Sequence, residues 1–395
     1  MSQQGTPSAS RVLMHISVIG FATALSARAV DPIIPPIALA LAESPEKVAL
    51  LSTAFALPFA LVQPILGAIA DMIGKLRLMI ICLAVMILAS LACATATTFT
   101  ALLVFRIVVG IATGGIFPVG LAIVADEVPV RERQVAIGRW LAIVIAGNLL
   151  GATFSGLVGD LFGWRAVFFG VAACAIAAFV NALINLRHAA RAESANFDWR
   201  SVPAGYRAIF ANPKAKFCFF AVFLEGIAIF GLFPFVALLL LAAGEGRASI
   251  AGLVIAGFSI GGVIYSLGVK LVLGRWHRRH LMVAGGVIAM AAMMVVALDL
   301  SWPVQLAAFG LLGLGFYTLH ASIQVEVTEL SVTARGAATA LHSMFFFIGQ
   351  AMGPVFYGFG FAHIGGTRSV LIGSAVTLAV GLMCAHYLRR RDSVV

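Results

Sequence analysis

The chain has 395 residues, of which 62% are hydrophobic and 11% charged, and its mean hydropathy is +1.06. Water-soluble domains carry roughly a quarter charged residues, so this composition excludes a soluble protein, and a disordered or collagen-like chain with it. The net charge of +10 is a matter of location: about 19 of the 26 Lys and Arg fall in segments that alternate onto one side, among them Lys75, Arg77, Arg131, Arg133, Arg275, Arg278, Arg279 and Arg389 to Arg391. By the positive-inside rule that side is the cytoplasm, and both termini lie there. A bilayer core needs about 20 apolar residues per helix, which at roughly 33 residues per span and connection allows about twelve helices.

The first apolar segment, 12 to 40, lacks a small-residue cleavage site and reads as a first span rather than a removable signal peptide. It contains Arg28, Asp31, Pro32, Pro35 and Pro36; the prolines remove backbone donors and free carbonyls to face a cavity or kink the helix. The second span, 47 to 73, carries Gln63 and ends in Gly67, Asp71 and Gly74, followed by Lys75 and Arg77. The third covers 77 to 97, and the fourth, 100 to 125, carries Arg106. An arginine inside a span costs about 2.5 to 3.5 kcal/mol on insertion scales, so it faces a cavity or an acid. The fifth and sixth, 135 to 160 and 165 to 186, include Asn148, and a polar stretch then runs from Arg187 to Lys216 with six basic residues. That stretch reads as a cytoplasmic linker with an amphipathic pattern from Trp199 to Phe210.

The second set of spans covers 214 to 242, 248 to 273, 281 to 299, 303 to 326, 335 to 361 and 367 to 388. Their polar residues are Glu225 in the seventh, Tyr265 in the eighth, Tyr317 and His320 in the tenth, and His342 and Gln350 in the eleventh. Of the 16 Asp and Glu, all but Asp31 and Glu225 fall in loops or near the ends of spans, with Glu326 at the inner end of the tenth. A carboxyl inside a span can bind and release a proton as access alternates, so both are proton-carrier candidates; Glu225 could equally be a neutral, hydrogen-bonded core acid. It has no basic partner in neighbouring sequence. Cys82, Cys93, Cys174, Cys218 and Cys384 read as core thiols, and no His, Cys or carboxylate set has metal-ligand spacing.

Sliding the chain by 202 residues superposes Pro32 on Pro234, Glu43 on Glu245, Arg77 on Arg279, Glu127 on Glu329 and Arg133 on Arg335. Gly147, Gly151, Gly156 and Gly163 fall on Gly349, Gly353, Gly358 and Gly365, and Asn148 falls on Gln350. Ordered matches at one offset without a gap indicate two duplicated halves of six spans. The expected divisions are 1–186, a cytoplasmic linker 187–213, and 214–395.

The loop Gly67-Ala-Ile-Ala-Asp71-Met-Ile-Gly74-Lys75-Leu-Arg77 resembles the G-x-x-x-D-R-x-G-R-K/R pattern of the major facilitator superfamily, with Met72 in place of the usual Arg. The resemblance implies a conformational latch made of Gly67, Asp71, Gly74, Lys75, Arg77 and Arg133. Arg106-Ile-Val-Val-Gly110 is similar to the R-x-x-x-G pattern of proton-coupled members, and Arg28-Ala-Val-Asp31-Pro32-Ile-Ile-Pro35 looks like the first span of the drug:proton antiporter-1 branch. The antiporter motif of the fifth span is altered, with Ala152 and Ser155 where the family has Pro and Gly. The implied fold is an all-α polytopic membrane protein, twelve transmembrane helices in two pseudo-symmetric six-helix bundles.

Family geometry implies that Asp31 and Arg106 meet beside the central cavity as a proton-coupling pair, with Glu225 second; the alternative is that Arg28 and Asp31, at i and i+3, neutralise each other. Arg28, Gln63, Asn148, Tyr265, Tyr317, His320, His342 and Gln350 are candidate cavity residues, each open to the plainer reading of an interhelical hydrogen bond. The implied function is proton-coupled efflux of a small molecule across a bacterial inner membrane by alternating access, by a monomer without cofactor, metal or nucleic acid. Proton-coupled uptake of a sugar or organic anion is the alternative within transport. A membrane sensor or embedded enzyme is disfavoured, because no catalytic set or nucleotide motif occurs.

Overall fold

The computed structural model describes residues 9–128, 130–186, 201–273, 276–331 and 335–388. Among these no strand occurs, and twelve helices are long and apolar enough to cross a membrane. Spans two to six are the helices Pro45–Ile73, Lys75–Thr95, Phe99–Glu127, Val130–Phe162 and Trp164–Asn185. Spans eight to twelve are Ala248–Leu273, Arg278–Val296, Trp302–Thr328, Arg335–Ile364 and Gly366–Tyr387. Within the linker, residues 187–200 lie outside the described segments, and Ser201–Ala211 is a helix that buries Ile209 and leaves Phe210 exposed. Large apolar side chains such as Leu267, Leu88 and Phe359 are exposed by 77%, 68% and 67%, a surface suited to lipid rather than water.

The first and seventh spans are the broken ones. The first runs as helix Ala9–Arg28, a 3-10 turn Asp31–Ile33 and helix Ile34–Leu41; the seventh as helix Ala215–Ala228, a 3-10 segment Phe230–Phe235 and helix Val236–Ala242. Proline cannot donate to the helical ladder, and Pro32 and Pro234 sit in these two breaks. The ladder tightens accordingly. Ile33 N–H bonds Val30 O at 3.0 Å and Leu232 N–H bonds Ile229 O at 3.3 Å, which takes the usual helical donors away from Ala29 O and Ala228 O. The Ser155 hydroxyl donates to Ala29 O, and Tyr357 Oη donates to Ala228 O at 2.7 Å. Ser155 and Tyr357 are themselves 202 residues apart, so both halves mend their break from the corresponding span.

The chain divides into two compact units, Met1–Ser44 with Ala54–Phe197, and Pro45–Thr53 with Asp198–Val395. In the first, the opening helix packs on the fifth span, and the third packs on the fourth and sixth; in the second, the seventh packs on the eleventh, and the ninth on the tenth and twelfth. A Cβ at Gly151 would collide with Leu25 O, and one at Gly353 with Gly231, so the repeated glycines let these helices touch along their backbones. Gly163 and Gly365 start the sixth and twelfth helices at φ of 82° and 85°, where a side chain would be strained. All five cysteines are free; four are buried as core thiols, and Cys174 is half-buried instead. In the turn after the seventh span, the Arg247 guanidinium hydrogen-bonds Glu245 and holds its carboxyl down at about 2.

Candidate functional site

Two groups of ionisable side chains lie inside spans, one in each unit. In the first unit Asp31 is 1% exposed, placed by the turn that interrupts the span. Its carboxylate pairs with Arg28 Nη1 at 3.4 Å, the i, i+3 contact across the break. Arg106 is also 1% exposed and within electrostatic reach of Asp31, but its Nη1 points to Ser26 O at 3.5 Å and its guanidinium lies 4.6 Å above the Phe55 ring. Nε and Nη2 of Arg106 have no hydrogen-bond partner. Glycine brings the fourth span this close to the second: a Cβ at Gly110 would collide with Phe55 O. Asp31 thus has Arg28 as an ion-pair partner, and Arg106, the partner the family resemblance implied, lies within its electrostatic reach.

In the second unit, Glu225, His320 and His342 come together from the seventh, tenth and eleventh spans. Glu225 Oε2 lies 2.8 Å from His320 Nδ1, and the His320 and His342 rings are 4.8 Å apart between centroids. Neighbouring sequence offers Glu225 no basic partner; the one it meets lies 95 residues away. Tyr317, one turn from His320, lies 6.4 Å from Tyr265 between ring centroids, so four of the candidate cavity residues join one aromatic group. Gln63 is half-buried and its Nε2 finds no partner. Asn148 is half-buried and spends its amide on Val144 O of its own helix at 3.3 Å, while Gln350 is half-buried two turns along the eleventh span from His342.

The latch residues are placed unevenly. Lys75 forms an ion pair with Asp126 at the end of the fourth span, Arg77 is exposed, and Gly74 turns with φ of 97°. A Cβ at Gly67 would meet nothing within 4 Å, so among the described residues no close helix contact depends on this latch glycine. The side chains of Asp71 and Arg133 lie outside the described residues, as do Arg131, Arg275 and Arg389 to Arg391. Sequence reading missed the charge cluster of the second unit. Glu326, 4% exposed, receives Lys214 Nζ at 3.1 Å and Arg278 Nη1 at 2.6 Å, and Arg278 also reaches Glu329 at 3.5 Å. Three spans are thereby tied at one end of the unit.

A cavity of about 440 Å³ opens between the first and fifth spans of the first unit, lined by Leu13, Met14, Ser17, Val18, Phe21, Arg139 and Ile143. It is apolar apart from Ser17 and Arg139, and none of its lining residues stood out in the sequence.

The profile of the Major Facilitator Superfamily matches residues 16–330 and 218–394. The chain is similar to multidrug resistance protein 1 of Bacillus subtilis (strain 168), 25% identical over 364 residues, covering 89% of this chain and 91% of that one. It is 28% identical over 157 residues to the probable multidrug resistance protein EmrY of Escherichia coli (strain K12), covering 40% of this chain and 31% of EmrY. The chain thus spans about a third of the length of EmrY. Among solved structures it superposes on a D-xylose-proton symporter with a TM-score of 0.79 at 12% identity, covering 95% of this chain and 97% of that one. It also superposes on a bacterial homolog of the human lysosomal transporter Spinster, with a TM-score of 0.74 at 19% identity and 97% coverage of each. At these identities the superpositions establish the fold alone. Twelve apolar helices and the family match lead to one conclusion: this chain belongs to the Major Facilitator Superfamily and is a multi-pass membrane protein.

Proposed function

We propose that the protein exports a small, largely apolar molecule across the bacterial inner membrane in exchange for protons, acting as a monomer by alternating access with both termini in the cytoplasm. The two six-span halves, 1–186 and 214–395, are the parts that move, joined by 187–213. The observation that carries this reading is Asp31, a carboxyl 1% exposed in the Pro-broken middle of the first span, paired with Arg28 and within electrostatic reach of Arg106. A gradient-driven carrier needs a titrating group inside a span, and a carboxylate whose arginine contacts change during the cycle can release its proton on one side and take one up on the other. The multidrug names of its relatives and the apolar cavity beside Arg139 support a largely apolar solute.

A second reading is favoured by one observation. Arg106 keeps two guanidinium nitrogens unpartnered, which is the chemistry that would hold an organic anion moving with protons rather than against them. The deciding experiment is a screen in proteoliposomes with an imposed pH gradient, using panels of apolar amines, neutral dyes and organic carboxylates. Efflux-direction accumulation of an apolar solute, dissipated by a protonophore, is the expected result. Accumulation of carboxylates alone, in the direction of proton flow, would replace export with uptake.

A further inference from the structure

Glu225 sits near the middle of the seventh span, eleven residues above Lys214, or about 16 Å along a helix at 1.5 Å per residue. Its side chain is fully buried, and the ion-pair partner that the structure shows for it is His320. The hydrogen bond between Glu225 Oε2 and His320 Nδ1, at 2.8 Å, leaves two buried atoms without partners: Glu225 Oε1 at one end of the group and His342 Nε2 at the other. Phe316 stacks on His320 at 4.7 Å and Phe346 meets it edge-on at 5.1 Å, which closes the group off with apolar surface.

Among the described residues, His320 is the ionisable group that hydrogen-bonds Glu225, whose other oxygen has no partner. From the tenth span Glu326 is held by Lys214 and Arg278; from the eleventh, Tyr357 donates to Ala228 O. From the twelfth, Cys384 lies within electrostatic reach of Glu225 and of Cys218 on the seventh span itself. No Lys or Arg among the described residues is paired with Glu225, so the cation able to neutralise it is a proton, carried on the carboxyl or on the imidazole. In a medium of low dielectric the uncharged sum is favoured, so the group holds one shared proton while it is closed off from water. A pure packing role would need neither an acid nor two orphaned polar atoms, which cost free energy when left unpaired.

We propose that Glu225, His320 and His342 form a proton-binding centre of the second unit that takes up and returns one proton during transport. This deepens the proton-coupled reading and rests on it. Within the centre the carboxyl O–H bond breaks as the Nδ1–H bond of His320 forms, leaving carboxylate and imidazolium, and the proton returns to the Glu225 carboxyl before it is exchanged with water there as access opens.

The test reads proton binding directly. Purified full-length protein is titrated by infrared spectroscopy in H2O and D2O, following the carbonyl stretch of protonated carboxyls. A titrating band is expected that survives Asp31→Asn and disappears in Glu225→Gln. In His320→Asn its midpoint should move by about one pH unit or more, tenfold in proton affinity, with a smaller shift in His342→Asn. His342→Asn lies outside the hydrogen bond and keeps the test decisive if Glu225→Gln fails to fold. A band and midpoint unchanged in Glu225→Gln, or unmoved by both histidine changes, would overturn this centre while leaving Asp31 in place. Gradient-driven transport undiminished in Asp31→Asn, with the Glu225 band intact, would instead remove Asp31 and leave this centre as the coupling site.

Discussion

Two hydroxyls, Ser155 and Tyr357, accept the consequence of proline in a membrane helix. Each donates to a carbonyl, Ala29 O or Ala228 O, whose own helical donor has turned to a nearer acceptor. Hydrogen bonds between membrane helices contribute about 0.6 kcal/mol on average, whereas a buried carbonyl left with nothing costs about 1 to 3 kcal/mol. The second figure governs here, because hydrocarbon offers no replacement donor. Tyr357→Phe is therefore expected to destabilise the detergent-solubilised protein by about 1 to 2 kcal/mol, read as a lower thermal midpoint. Ser155→Ala should act in the same direction, and the double variant should show their sum, since the two sites share no partner. If Tyr357→Phe melts with the wild type, Ala228 O has found another donor. Neither hydroxyl was legible in advance: Ser155 read as a lapse from a glycine motif, and Tyr357 drew no notice.

At the scale of helices, the prolines of the first span pointed to its break, because a missing N–H is a local property of sequence, whereas Pro234 stood out only as the repeat partner of Pro32. The span count and the small-residue stripe of the fifth and eleventh spans were legible for the same reason. Contacts between spans were not. Glu225 and His320 are 95 residues apart, and Lys214 and Glu326 are 112 apart; hydropathy carries no signal of which helix faces present them to each other. Both arginines near Asp31 were visible: the local i, i+3 pair with Arg28 is formed, and Arg106 lies within electrostatic reach. Glu326 organises three helix ends through Lys214 and Arg278, whose side chains are 28% and 34% exposed. Solvent can take over part of their charge, so Glu326→Gln is expected to cost about 1 to 2 kcal/mol rather than the 3 to 5 of a fully buried pair. Thermal unfolding followed at low and high salt tests this: the loss should shrink as salt rises, and an equal loss at both would assign the effect to packing.

Over the whole molecule, the 202-residue repeat is expressed in structure as matched breaks, matched hydroxyls, and matched left-handed glycines at Gly163 and Gly365. In the proposed topology an even number of spans in each half carries the basic loops of both to the cytoplasmic side. Reporter fusions after Lys75, Val202 and Val395 should all report cytoplasm, and one after Glu245 the opposite side; an exterior C-terminus would refute the six-plus-six arrangement.

Proton coupling through Asp31 is the claim on which the functional account turns. Its most direct measurement compares wild type and Asp31→Asn in proteoliposomes, using a solute identified by the gradient screen, with uphill flux and energy-independent exchange read in parallel. The account predicts that Asp31→Asn loses accumulation driven by the pH gradient while solute exchange across the membrane persists, because the carrier still alternates but no longer carries the proton. Accumulation by Asp31→Asn at the wild-type level would contradict it.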